Sequence, residues 1–172
     1  KNEEGRYKEA GNIKNAVPFL HQDPDSDEIL GQCEESGRDQ GHATLCVSLM
    51  GAFCQMAYSI GEDLFAFDNY RAVAMAEYVG KYNLIKDESF NKGTLVGDDF
   101  IYDSNSFPYT SYSNPSYTNA TISTEQRGTK RPSWELFYGY CKEKGISSLY
   151  SEKWADQMRP DGGGGNYGPN SG

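Results

Sequence analysis

Within eight residues, Glu35-Ser36-Gly37-Arg38-Asp39-Gln40-Gly41-His42, the chain sets a carboxylate, a guanidinium, an amide and an imidazole side by side. Such a set can hold an anion and move a proton: guanidinium and amide groups pair with carboxylates, and an imidazole exchanges a proton near neutral pH. His42 stands at or just before the start of a helix, where the positive end of the helix dipole favours a neutral ring. Glu35 is placed to orient His42 or Arg38 by a hydrogen bond. The simpler duty for Ser36, Asp39 and Gln40 is to cap that helix.

The element behind this segment is the clearest in the sequence. From Ala43 to Ile60 the apolar residues Leu45, Leu49, Met50, Phe53, Met56, Ala57 and Ile60 recur at helical steps. Gly61 ends the helix, and Asp68 or Asn69 can cap a second one running through Arg71, Val73, Met75, Tyr78 and Val79 to about Tyr82. So short a connection makes the two antiparallel, and a helix of this length spans about 27 Å. The stretch from Tyr78 to Asn83 then comes level with His42. A third helix begins at Pro132 and runs past Trp134, Leu136, Phe137 and Cys141 to Gly145. Ser147 or Ser148 caps a fourth, through Leu149, Trp154 and Met158. Residues 1–33 read as surface loop with a short helix, 86–130 as a long Tyr- and Ser-rich excursion with short strands, and 161–172 as Gly-rich turn. The expected fold class is all-α, in a single domain spanning 1–172.

Composition narrows the partners. The chain has 172 residues, a formal net charge of -9 and only 37% hydrophobic residues, with 19 Gly and 13 Tyr. Its pI is near 4.7 and its mean hydropathy is -0.74. An acidic surface argues against nucleic acid, whose binding needs clustered Lys and Arg, but leaves room for a polyanion held by a few cations in one cleft. No apolar run is long enough for a membrane span. Two histidines without matching carboxylate spacing argue against a catalytic metal, and no cofactor motif is present. Cys33, Cys46, Cys54 and Cys141 form no metal-finger or disulfide pattern; Cys46 and Cys54 read as small buried residues of a helix.

The run Glu35 to His42 followed by an apolar helix resembles a signature of the alginate lyase domain family. Tyr78-Val-Gly-Lys-Tyr82-Asn83-Leu84 resembles that family's tyrosine-bearing helix, Arg127-Gly-Thr-Lys-Arg131-Pro-Ser-Trp134-Glu135-Leu136 its next helix start, and Arg159-Pro-Asp-Gly-Gly-Gly-Gly-Asn166-Tyr167-Gly-Pro-Asn170 a Gly-rich loop. The resemblance implies a toroid of paired α-helices, of which this chain is a sector and a longer parent chain the remainder, outside the cell or in the periplasm. It implies cleavage of an anionic polysaccharide by β-elimination: a neutral or cationic group binds the uronate carboxylate, a tyrosine or histidine removes the acidified ring proton, and an acid protonates the departing oxygen.

Carried onto this chain, the resemblance makes His42 the carboxylate neutraliser or the base, with Arg38 and Gln40 assisting. Several related lyases carry Asn immediately before the histidine; here Gly41 stands there, and Gln40 is the substitute. Tyr78 or Tyr82 is the base and acid, and Arg71, two helical turns before Tyr78, resembles the arginine of an arginine and tyrosine pair that favours a tyrosinate. Trp134 and Glu135 resemble groove residues, and Asn166 and Tyr167 reach sugar hydroxyls from the Gly-rich loop. Two other readings stay open: hydrolysis by carboxylates drawn from Glu35, Asp39 and Glu135, and binding of an acidic polysaccharide without turnover.

Overall fold

The computed structural model describes residues 12–113 and 118–159. Its centre is the antiparallel helix pair expected from the sequence. The first member, Gln40–Tyr58, is here α2, preceded by the short α1, Ile13–Ala16. Asp39 caps α2 from an extended backbone, accepting the His42 N–H. The chain leaves α2 through Gly61, whose φ of 93° is open to glycine without steric cost. It re-enters a helix at α3, Phe67–Asn83. Asp68 and Asn69 do not cap α3 in the ordinary way. With Tyr70 they form a left-handed turn (φ 50°, 57° and 59°), and regular right-handed geometry begins at Arg71. Arg71 braces this turn, donating from Nε to Asp68 Oδ2 (2.5 Å) and from Nη1 to the Val17 carbonyl (2.7 Å).

Two small sheets depart from the all-α expectation. Strands β1, Phe19–Gln22, and β2, Ile29–Gln32, pair antiparallel across the acidic turn that was expected to be loop. They lie on α3 so closely that a Cβ on Gly31 would sit 2.8 Å from the Met75 backbone nitrogen. Within the long excursion, β3, Tyr112–Ser113, pairs with β4, Thr118–Asn119. Helices α4, Trp134–Lys144, and α5, Leu149–Met158, form a second pair that packs on α3. The described residues are helix-rich, 50% helical with five helices and minor sheet, and none of these helices is long and apolar enough to cross a membrane.

The core gathers Leu30, Val47, Phe65, Met75, Tyr78, Tyr82, Trp134, Phe137 and Trp154. The buried face of α2 is not the one that the apolar spacing suggests. Ala43, Thr44, Val47, Gly51 and Cys54 turn inward, whereas Leu49, Phe53, Met56 and Ile60 are 63%, 59%, 71% and 81% exposed. Small inward residues let α2 approach its neighbours: a Cβ on Gly51 would meet the Phe137 ring at 2.8 Å. The larger apolar residues form an uncharged outer stripe.

Two buried ionic groups tie the pieces together. Lys81 is sealed against Asp23 and also donates to Asp25 (2.6 Å), and its ammonium lies 4.5 Å from the centre of the Tyr102 ring. Burial works to raise the Asp23 pKa, but hydrogen bonds from Lys81, Ser26 and Tyr150 outweigh it and hold that carboxyl below the ordinary value. Glu77, also buried, accepts the backbone N–H groups of Tyr150 (2.7 Å) and Ser151 (2.9 Å). A carboxylate from α3 thus satisfies the first turn of α5, whose own cap residue Ser148 makes no side-chain cap bond.

Candidate functional site

The segment Glu35 to His42 folds as a 3-10 turn, Glu34–Gly37, leading into α2. Asp39 is the hinge of its chemistry. While Oδ1 caps the helix through the His42 N–H (2.8 Å), Oδ2 lies 2.6 Å from His42 Nδ1. A carboxylate only accepts, so the ring proton sits on Nδ1 and the Nε2 lone pair points away from Asp39. The His42 side chain is 42% exposed, and no described residue hydrogen-bonds to Nε2. Arg38 lies over the same carboxylate, with Nε 3.6 Å from Asp39 Oδ2 and Nη1 3.4 Å from Glu35 Oε2. The arrangement is a row of Glu35, Arg38, Asp39 and His42 ending in an oriented, solvent-facing imidazole nitrogen.

Gln40 takes no part in that row. Its side chain is buried and spent: Nε2 donates to the carbonyls of Ser36 and Ser123 (both 3.0 Å), and Oε1 accepts from Asn83 Nδ2 (3.0 Å). Asn83 Oδ1 in turn accepts the Gly128 N–H (2.8 Å). Gln40 therefore positions the segment and does not meet a substrate. Its bond to Asn83 also shows the end of α3 level with the start of α2, as the antiparallel pairing requires.

The tyrosines expected opposite His42 are in the core. Tyr78 and Tyr82 are fully buried. Tyr78 donates to the Pro108 carbonyl (2.9 Å), and the Tyr82 hydroxyl lies near Ser104 without a well-formed hydrogen bond. Burial raises both pKa values, that of Tyr78 far above the ordinary phenol, which opposes a tyrosinate base. Neither ring is exposed, and the histidine stacked on Tyr78 is His21, at 6.0 Å. Arg71 activates neither tyrosine; it braces Asp68 and Val17 at the far end of α3, about 10 Å along the axis from Tyr78.

Trp134 likewise belongs to the core. It is fully buried, donates to the Ala76 carbonyl (2.8 Å) and packs against Trp154. Glu135 pairs with Arg159. Asn166 and Tyr167 lie outside the described residues. Of the tyrosine-rich excursion, Tyr102 and Tyr109 pack on the core.

Sequence reasoning weighed Asp39 only as a cap or a carboxylate, and it missed Gln126. Gln126 reaches the site from the segment between β4 and α4. Its φ of 54° is in the left-handed region, and its side chain fills the place of a side chain at position 41: a Cβ on Gly41 would lie 2.1 Å from Gln126 Oε1. Beyond Gln126 opens a groove of about 890 Å³ between residues 92–97 and 124–130.

No protein-family model matches the chain, and no curated protein and no solved structure matches it either.

Proposed function

We propose that the protein is a polysaccharide lyase that cleaves an alginate-like or other polyuronate by β-elimination, with His42 as the base. The observation that carries this reading is the Asp39 and His42 pair: a buried carboxylate fixes the ring so that Nε2 faces solvent as an acceptor. Arg38 beside it supplies the cation that pairs with the substrate carboxylate and stabilises the charge that develops when the neighbouring C–H is broken. His42 takes the proton, its C–H electron pair becomes the ring double bond, and the glycosidic C–O bond breaks. The departing oxygen then takes a proton from the imidazolium, so one group serves as base and acid. Burial of Tyr78 and Tyr82 moves both roles to His42. The reading also takes the chain as a sector of an α/α toroid, secreted or periplasmic, with the uncharged stripe of Leu49, Phe53, Met56 and Ile60 as the face on which a neighbouring helix pair of a longer parent chain packs.

The test is incubation of the purified chain with mannuronate, guluronate and glucuronate polymers, following ultraviolet absorbance of the conjugated double bond. Turnover is expected, and His42→Ala should reduce it at least about a hundredfold. Reducing ends without that absorbance mean hydrolysis, and activity unchanged in His42→Ala removes the imidazole from the mechanism. The sealed tyrosines favour one second reading, binding without turnover, in which uronate oligomers associate and no product forms.

A further inference from the structure

The groove beyond Gln126 holds an unusual cation. Arg127 is 8% exposed, and its guanidinium is sandwiched between the rings of Tyr82 and Phe100, 3.9 and 4.1 Å from their centres. Nε donates to the Tyr82 carbonyl (2.8 Å) and Nη2 to the Tyr102 carbonyl (2.6 Å). Among the described residues no carboxylate lies within ion-pair distance of it, and no hydrogen bond engages Nη1. Burial lowers its pKa to about 10, which leaves it charged at neutral pH. Asp103 favours that charge through space without touching it, and a desolvated guanidinium with no directly bonded anion gains from one that comes to it.

Its neighbours divide into spent and available charge. Lys92 is neutralised by Asp99. Lys130 has only the Phe90 carbonyl (2.7 Å) and the Phe90 ring (3.8 Å), neither of them an anion. Two cations with no direct ion pair among the described residues therefore line one polar groove of a chain whose net charge is -9. Gln126 lines the same groove and lies against Gly41, next to His42.

We infer that this groove is a second anion-binding subsite, in which Arg127 and Lys130 take the carboxylate of a uronate residue next along the polymer from the one at His42, while Gln126 bridges the two positions. The inference rests on the polyuronate reading for its substrate class. It assigns the groove as the path by which an extended polymer lies across the protein, and makes Gln126 a substrate-contacting residue.

The experiment measures binding of uronate oligomers to the full chain by calorimetry, in parallel with turnover. Lys130→Gln should weaken binding roughly tenfold, the equivalent of one charge-assisted hydrogen bond, and raise KM on the polymer with kcat retained. Gly41→Ala, whose new Cβ must displace the Gln126 amide, should weaken binding in the same sense. A carboxyl-reduced, neutral oligomer should bind far less tightly than its charged parent. Unchanged affinity in both variants, or equal affinity for the neutral oligomer, overturns the subsite. If charged oligomers bind, the variants weaken them and no double bond forms, the lyase reading fails and the subsite stands. If the double bond forms and neither variant alters affinity or KM, the subsite fails and the lyase reading stands.

Discussion

Glu77 gives the fold a pH dependence of opposite sign to that of an ion-paired carboxylate such as Asp23, whose pKa is lowered. Its carboxyl is buried on α3, and that burial raises its pKa from 4.5 to about 7, against the lowering effect of the Tyr150 and Ser151 N–H groups it accepts. A carboxyl with a raised native pKa binds its proton more tightly in the folded chain than in the unfolded one. Its contribution is therefore fully present below about pH 4.5 and is lost as pH climbs through 7. Taking 4.5 for the unfolded chain and 7 for the folded one, the loss between pH 5 and pH 8 is about 2 to 3 kcal/mol. Glu77→Gln removes the titration and keeps an oxygen for one of the two N–H groups, while the other meets the amide NH2 at a cost that does not vary with pH. Urea unfolding followed by circular dichroism from pH 5 to pH 8 isolates the group, since every other titration is common to both proteins. The stability of the parent minus that of the variant should fall by about 2 to 3 kcal/mol across that range. A difference that stays flat or rises with pH would refute the reasoning.

Asp39→Asn keeps an oxygen to cap α2 but presents an amide N–H to His42 Nδ1, which forces the ring proton onto Nε2. Unfolding stability should change by no more than about 0.5 kcal/mol, while double-bond formation falls at least about a hundredfold; equal activity would show that the tautomer does not matter. Tyr78→Phe removes one core hydrogen bond to Pro108, so denaturation should cost about 1 kcal/mol and turnover should stay within a factor of two or so; a collapse of kcat in a folded variant would restore the phenol to the mechanism. Lys81→Met leaves Asp23 sealed without its cation and should lower stability by about 3 to 5 kcal/mol in thermal or urea unfolding; a loss under about 1 kcal/mol would mean that Asp23 finds water or a proton at little cost.

The helical pairing was legible because spacing, turn length and Gly61 agree on it. The face of α2 was not. Large apolar residues at helical steps mark a stripe, but in this chain the inward face is made of small ones, Ala43, Gly51 and Cys54, which hydrophobic spacing underweights. Tyrosine is ambiguous for a related reason: a phenol is as much at home capped by a core carbonyl, as Tyr78 is by Pro108, as it is lining a groove. Strands β1 and β2, four residues each and joined by an acidic turn, are too short for their alternation to stand out. The Asp39 and His42 contact lay within reach, since a cap three residues before a histidine on the same turn brings the two side chains together. Gln126 did not, because only tertiary structure brings position 126 against position 41.

The amides of Gln40 and Asn83 join three stretches far apart in sequence: the start of α2, the end of α3 and the segment just before α4. Amide hydrogens there should exchange with solvent as one cooperative block, because opening any one stretch strips partners from the other two. His42 and Gln126 would then keep their spacing through every fluctuation short of that opening, and lose it together.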